Sequence, residues 1–319
     1  MVGTVATALS VQVAELSHLA DTVVAVKFRT VADGPLPSWS AGAHIDVVLP
    51  NGQTRQYSLI AAAEDLSWYQ VAVNRDYASR GGSEYIHMFL RPGQFLTIRG
   101  PRNHFTLVDA SHYLFITGGI GVTPISSMVR EARAAQRGTN VHYAGRSLSA
   151  MALRQELDTY ADRVQLYPRD SGERMDIAAI VAKVAEGTEI YCCGPAGMVA
   201  TVEAAAAAAG ISQLVHVERF KPRVRKLPAP RPMKVEARRS QLTLDVPAEI
   251  SVLTALERAG VAVPSGCRSG LCGACAVPVL SGQVEHRDDV LTPRQHDAGD
   301  QLLTCVSRSS SGEALVLDV

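Results

Sequence analysis

Over the first third of the chain, short apolar runs alternate with clusters of turn residues. Val23, Val24, Val26 and Phe28, then Ile45–Leu49, Gln56–Ile60, Tyr69–Asn74 and Phe95–Arg99, are β-type runs. Asp33-Gly34-Pro35, Pro50-Asn51-Gly52 and Arg91-Pro92-Gly93 separate them. Short strands at such intervals predict a small antiparallel β-barrel over residues 1–106. The rhythm changes over residues 107–224. Tyr113–Thr117, Asn140–Gly145, Val164–Tyr167 and Glu189–Cys193 read as strands, and helical stretches such as Ile125–Gln136 and Ala150–Tyr160 lie between them. That alternation predicts an α/β domain with a parallel sheet.

A run from Lys221 to Pro232 holds four prolines and five basic residues, and 225–232 reads as a semi-rigid, solvated linker. Spacing is its favoured role, with charge-driven docking on an acidic partner as the other. Residues 233–319 read as a compact α+β module. Lys234–Ala237 and Gln241–Val246 form a predicted hairpin, Ser251–Ala259 a helix and Ala314–Val319 the last strand.

With 319 residues the chain has room for two or three domains. Lys+Arg and Asp+Glu both number 31, so no net charge argues for nucleic acid or an anionic membrane. Met1–Ala20 lacks a basic segment followed by an apolar stretch, and no apolar run reaches the length of a membrane span; Ala204–Ala209 reads as part of a helix. Six cysteines without a paired extracellular pattern point to the cytoplasm.

Four of those cysteines carry the most specific chemistry. Cys267, Cys272 and Cys275 stand as C-x4-C-x2-C, and Cys305 follows at a distance, which is the plant-type [2Fe–2S] spacing. Gly266, Gly270 and Gly273 let the backbone wrap closely and turn N–H groups toward sulfur. Disulfides fit poorly with three cysteines crowded into nine residues. Zinc fits poorly with a single C-x2-C pair. The nine histidines show no metal-ligand spacing and read as solvated or hydrogen-bonded. His286 lacks the second Cys–His pair that a Rieske centre needs.

Two segments in the barrel region suit a phosphate and a planar ring. Arg55-Gln56-Tyr57-Ser58 offers a guanidinium, an aromatic ring and a hydroxyl on one predicted strand. In Arg80-Gly81-Gly82-Ser83, glycines precede a predicted helix Glu84–Leu90, with Ser83 a possible N-cap. In the α/β region, Gly118-Gly119-Ile120-Gly121-Val122-Thr123-Pro124 follows a strand. Thr123 is expected to N-cap the next helix and Pro124 to open it, with the glycines admitting a phosphate. Arg146-Ser147 ends the next strand, where it can meet an adenosine ribose or a 2′-phosphate. Cys193-Gly194-Pro195 forms a tight turn at the ligand-binding edge of the sheet. Cys192 reads as a buried structural thiol, and Cys193 as a neighbour of the reacting ring.

On these motifs the chain resembles, across essentially its whole length, the phthalate dioxygenase reductase family, the reductase components of two-component Rieske oxygenases. The resemblance implies a flavin barrel, a nicotinamide domain and a C-terminal β-grasp plant-type ferredoxin, in that order, with FMN as the flavin. It implies that Arg55, Tyr57, Ser58, Gly82 and Ser83 hold FMN, that Phe220 lies near the ring, and that Ser58 and Cys193 stand at the reacting centre. It implies that Gly118, Gly119, Gly121, Thr123, Pro124, Cys193, Gly194 and Pro195 receive NADH; a basic Arg146 leaves NADPH open. Hydride carries two electrons and the cluster accepts one at a time, so a flavin between them resolves the mismatch. The expected path is NADH to FMN to [2Fe–2S] to a Rieske-type oxygenase acting in aromatic catabolism. A stand-alone NAD(P)H reductase of a cytochrome or quinone, and a redox-sensing binding protein, are the alternatives.

Overall fold

The computed structural model describes residues 8–32, 34–60, 62–77 and 81–319. Asp33 of the first predicted turn, Arg80 of the candidate phosphate segment and the first seven residues lie outside them.

The first domain runs β1 (Ala8–Ala20), β2 (Val23–Thr30), β3 (His44–Val48), β4 (Thr54–Ser58), β5 (Trp68–Asn74), α1 (Gly82–Met88) and β6 (Phe95–Arg102). Its antiparallel sheet has the order β4-β3-β6-β1-β2-β5. A bridge between Leu59 and Val71 joins the two end strands and closes the barrel. Alternate residues such as Val24, Val26, Phe28, Ile45, Val47 and Ile98 fill the interior, and Ile86 and Leu90 add to it from α1 and its end. The longest strand, β1, gave no clean alternation in the sequence. Its inward residues run Leu9, Val11, Val13 and then Leu16, because an irregularity between Val13 and Glu15 slips the two-residue period by one.

The second domain runs β7 (His112–Gly118), α2 (Val122–Ala134), β8 (Gly138–Gly145), α3 (Arg154–Tyr160), β9 (Arg163–Pro168), α4 (Ile177–Val181), β10 (Thr188–Cys193), α5 (Ala196–Ala208) and β11 (Val215–Glu218). The sheet is parallel with order β11-β10-β7-β8-β9. Apolar residues of α2 and α3 pack on one face with Phe115 and Tyr143; those of α4 and α5 pack on the other with Ile116 and Ile190. The strand order reverses at β7, so a crevice opens between the carboxyl ends of β7 and β10.

These two domains make one compact unit that ends at Phe220. The Ala41–Gly42 turn of the barrel docks on α2: Ala41 N–H donates to Glu131 Oε2 at 2.9 Å and Gly42 N–H to Ser127 Oγ at 3.2 Å. A methyl on Gly42 would lie 2.0 Å from Phe105 O, so only glycine allows this approach. The predicted helix Ala150–Tyr160 begins four residues late, at Arg154, because Leu153 takes a left-handed conformation at φ +57° and the segment ahead of it packs on the barrel. Ser149 O accepts from Asp21 N–H, and Ser149 Oγ donates to Asp21 Oδ2 at 2.7 Å.

The second compact unit holds Lys221–Val319. It runs β12 (Met233–Ala237), β13 (Leu242–Val246), α6 (Val252–Arg258), β14 (Ala276–Ser281), β15 (Val284–Glu285), α7 (Pro293–Ala298), β16 (Gln301–Leu303), β17 (Arg308–Ser309) and β18 (Leu315–Leu317). The mixed sheet β13-β12-β18-β14-β16 packs Val235, Leu315 and Leu317 against Leu253 and Leu256 of α6. Ser251 N-caps α6 by accepting from Thr254 N–H at 3.1 Å. The Pro-rich run has no helix or strand, and all of it but Arg225 is exposed, as the sequence predicts for a solvated segment. Arg223 and Arg225 both reach the Asp289 carboxylate. Among the described residues, no helix is long and apolar enough to cross a membrane.

Candidate cofactor sites

The four cluster cysteines converge. Cys272, Cys275 and Cys305 are buried and Cys267 is half-buried. Backbone N–H groups aim at the sulfurs: Ser269 and Leu271 at Cys267 Sγ (3.4 Å each), and Cys267 and Ala274 at Cys272 Sγ (3.5 Å each). The thiols pair as Cys267 with Cys272 and Cys275 with Cys305. A hydrogen bond from Cys272, helped by the Ser269 and Leu271 N–H groups, pulls the Cys267 thiol well down, while its partner is pushed up. The hydrogen bond from Cys305 likewise lowers Cys275. Four sulfurs in two pairs, set among N–H dipoles, fit a dianionic [2Fe–2S] centre in which each iron takes two thiolates. Gly270 has φ +73°, and a methyl there would meet Val306 Cγ2 at 2.8 Å and Asp288 Cα at 3.0 Å, so the loop needs this glycine twice over.

In the barrel, the two candidate phosphate segments meet. The Arg55 side chain lies directly over Gly82: a methyl on Gly82 would stand 2.5 Å from Arg55 Nε and 2.7 Å from Cγ. Asn51 Nδ2 donates to Gly81 O at 3.2 Å. Helix α1 begins at Gly82, and its N-cap Gly81 has φ +90°. Ser83 is therefore not the N-cap the sequence suggested. It sits one residue inside the helix, and its hydroxyl accepts from Asp76 N–H at 3.2 Å. A guanidinium packed on a glycine at a helix start suits a phosphomonoester. Tyr57 packs against the barrel core, where burial raises its pKa against the opposing pull of Arg55; Ser58 is buried opposite His44.

The nicotinamide motifs also converge. A methyl on Gly121 would lie 2.2 Å from Cys193 O and 2.8 Å from Gly194 N; one on Gly118 would lie 2.9 Å from Pro195 Cδ. The glycine loop thus rests on the Cys193-Gly194-Pro195 turn, and Thr117 Oγ1 ties the two strands by donating to Cys193 O at 2.9 Å. Gly119, at φ +55°, has open space around it. Two expectations need correction. A 3₁₀ turn over Gly119–Gly121 runs straight into α2, so the helix starts at Val122 with Gly121 as its N-cap. Thr123 and Pro124 consequently sit inside the first turn, and Thr123 Oγ1 donates back to Ile120 O at 2.9 Å. Arg146 lies exposed at the tip of β8, beyond β7 from the turn. The barrel and nicotinamide motifs adjoin through a small apolar cluster in which Ile60, two residues after Ser58, and Ile120 of the glycine loop both take part.

Cys193 is completely buried rather than open at the sheet edge. Its neighbour was missed in the sequence: Glu218 is the register partner of Cys193, and Cys193 Sγ lies 4.0 Å from Glu218 Oε2. Burial pushes the Glu218 carboxyl up to about 8, and burial followed by the Glu218 carboxylate raises the Cys193 thiol. Both shifts favour the protonated forms, the carboxylic acid and the thiol. Strand β11, four residues long, was not recognised, which hid the pairing. Phe220, two residues further on, is 42% exposed.

His286, Asp288 and His296, far from any metal-ligand spacing in sequence, have ligand atoms within 4.8 Å of one another. The imidazoles stack at 4.3 Å with planes only 22° apart, each directing a nitrogen at a different oxygen of Asp288 (3.5 and 3.3 Å). Lone pairs in near-parallel planes do not converge on one ion; His296 hydrogen-bonds the buried Asp288 carboxylate, and His286 stacks on His296 with its Nδ1 at ion-pair distance from the other oxygen.

Residues 235–310 match the 2Fe-2S iron-sulfur cluster binding domain and residues 115–204 the oxidoreductase NAD-binding domain. The chain is 40% identical to phenoxybenzoate dioxygenase subunit beta of Ectopseudomonas oleovorans, over 98% of this chain and 97% of that one. It is similar to the solved structure of phthalate dioxygenase reductase, at 33% identity and TM-score 0.71, with 98% of each chain covered. It is also similar to an intact type IV self-sufficient cytochrome P450 monooxygenase, at 40% identity and TM-score 0.89. There it spans 41% of the larger chain.

Proposed function

The chain belongs to the phthalate dioxygenase reductase family, and from that premise we propose that it is the NADH-dependent reductase component of a Rieske-type aromatic oxygenase or demethylase. When bound, a flavin takes up hydride as an electron pair and releases single electrons to a [2Fe–2S] centre, which passes them to the oxygenase. The observation that carries this reading is the coexistence, in one chain, of a four-thiol nest and a glycine-lined crevice that adjoins the Arg55–Ser58 strand.

In this reading Arg55, Gly82 and Ser83 hold the phosphate of FMN, as the family resemblance implies, while Tyr57, Ser58 and Phe220 border its ring. Gly118, Gly119 and Gly121 let the dinucleotide approach the uncapped start of α2, and Gly194-Pro195 forms the opposite wall. Thr123 and Pro124 form the first turn of that helix, at the side that receives the dinucleotide. Glu218 and Cys193, side by side on adjacent strands, lie beneath the turn that receives the nicotinamide. Arg146 at the rim meets the adenosine end of NADH. Cys267, Cys272, Cys275 and Cys305 bind the iron. The proposed modules are 1–106, 107–224 and 233–319, with 225–232 between them.

The 40% identical dioxygenase subunit supports an oxygenase partner. A haem acceptor is the second reading, favoured by the TM-score of 0.89 to the cytochrome P450 monooxygenase. Anaerobic stopped-flow mixing with NADH, following flavin and iron–sulfur absorbance separately, tests the internal path. Flavin bleaching followed by cluster reduction, and reoxidation on adding a Rieske oxygenase, is the expected result. Flavin bleaching over an unresponsive cluster contradicts it, and reoxidation by ferric haem alone favours the second reading. Steady NADH turnover without any partner supports a stand-alone reductase.

A further inference from the structure

The segment Arg223–Pro232 looks in sequence like a flexible spacer, yet it is pinned at short intervals to the cluster module. Asp289, whose side chain is 1% exposed, accepts from Arg223 N–H at 2.8 Å, Arg223 Nε at 2.5 Å and Arg225 Nη2 at 2.5 Å. Arg225 Nη2 also donates to Asp288 O at 2.7 Å. Further along, Pro228 O accepts from Arg287 at 3.0 Å and Arg231 O from the buried Arg308 at 2.9 Å. The segment is otherwise exposed and turns once, where Leu227 N–H donates to Arg225 O at 3.1 Å, but contacts at 223, 225, 228 and 231 recur along its length. On its other side Asp289 meets the cluster loop: its N–H donates to Gly270 O at 2.9 Å, between Cys267 and Cys272. Asp288 holds this turn in shape by accepting from Leu291 N–H at 2.9 Å.

We propose that Asp289 is a positioning residue that fastens the basic Pro-rich segment to the cluster loop, making the segment a strap that moves with the cluster as one body. A flexible chain of this length would wander over about 20 Å; a strap held at four points does not. Any swing of the cluster module that delivers electrons therefore pivots on the N-terminal side of Arg223. This role rests on the electron-transfer function proposed above. The strap itself is tested independently of that function.

The holoenzyme variants are Asp289→Asn, Asp289→Glu as the conservative rescue, and Arg223→Gln/Arg225→Gln, which leaves the cluster loop untouched should the first variant fail to take up iron. In the native protein the Arg223 and Arg225 side chains are occupied by a buried carboxylate and are poor trypsin sites. Asp289→Asn leaves them without their charge partner, and cleavage after both is expected to rise at least about tenfold. In stopped flow, bleaching of the flavin by NADH is expected to keep its native rate, while the cluster-reduction phase slows in Asp289→Asn and in the double variant and recovers in Asp289→Glu. Equal cleavage of native and Asp289→Asn protein overturns the strap. Faster cleavage with an unchanged cluster phase overturns the positioning role. A native protein whose cluster never accepts electrons instead defeats the electron-transfer reading, and the cleavage result still decides the strap.

Discussion

Gly121 and Gly119 stand two residues apart in the nicotinamide crevice, and alanine at each should fail for a different reason. Gly121 has φ −61° and ψ −12°, values any residue adopts. Its methyl would sit 2.2 Å from Cys193 O and 2.5 Å from Cys193 C, both backbone atoms of a sheet strand. The turn must then retreat by close to 1 Å (~1 Å of clash relief at van der Waals contact). Overpacking of this kind costs about 1–3 kcal/mol. The retreat also breaks the buried hydrogen bond from Thr117 Oγ1 to Cys193 O, worth about 1 kcal/mol. A total loss near 2–4 kcal/mol lowers the melting temperature of a unit this size by roughly 5–15 °C. Gly119 has φ +55° with nothing in the way. Gly119→Ala therefore costs only about 1 kcal/mol of backbone strain and leaves its methyl in the open crevice. Thermal melting followed by flavin fluorescence, together with KM for NADH, separates the two. Both variants should raise KM about tenfold, and only Gly121→Ala should melt more than 5 °C lower. Native melting and native KM in Gly121→Ala would refute the contact between glycine loop and turn.

Cys305→Ser should lose the reduced-cluster EPR signal while NADH still bleaches the flavin; a normal signal would remove Cys305 from the ligand set. Gly82→Ala should push the flexible Arg55 side chain aside at a stability cost below about 1 kcal/mol. It should also weaken flavin retention about tenfold or more, as expected for a lost charge-assisted contact. Undiminished flavin after gel filtration would contradict it. Glu218, raised to about 8 by burial, is neutral in the folded protein and ionised in the unfolded chain at intermediate pH. Its contribution is therefore fully present below the unfolded carboxyl pKa of about 4.5 and is lost as pH rises through about 8, at up to ~1.4 kcal/mol per pH unit. Denaturant titrations should show that Glu218→Gln flattens this decline. Parallel profiles would show that Glu218 does not titrate there.

The sequence by itself determined whatever depends on neighbours along the chain. Cluster ligands within one loop, glycines at a strand-to-helix turn and the alternation of β with α are short-range patterns, and the spacing Cys267–Cys272–Cys275 already implies sulfurs around one centre. Strand β1 escaped because a bulge interrupts its period, and Thr123 was misread as a cap because a 3₁₀ turn extended the helix by two residues. Only the tertiary structure decided which distant groups meet. Register between β10 and β11 places Glu218 beside Cys193, 25 residues earlier. The approach of α1 to β4 lays Arg55 over Gly82. The buried Asp289 side chain ties a solvated run of prolines and arginines to the cluster module, 64 to 66 residues along the chain. A charge or a carboxyl has no fixed meaning in sequence, because its pKa and its partner depend on how much water the fold leaves around it and which chain segment replaces that water.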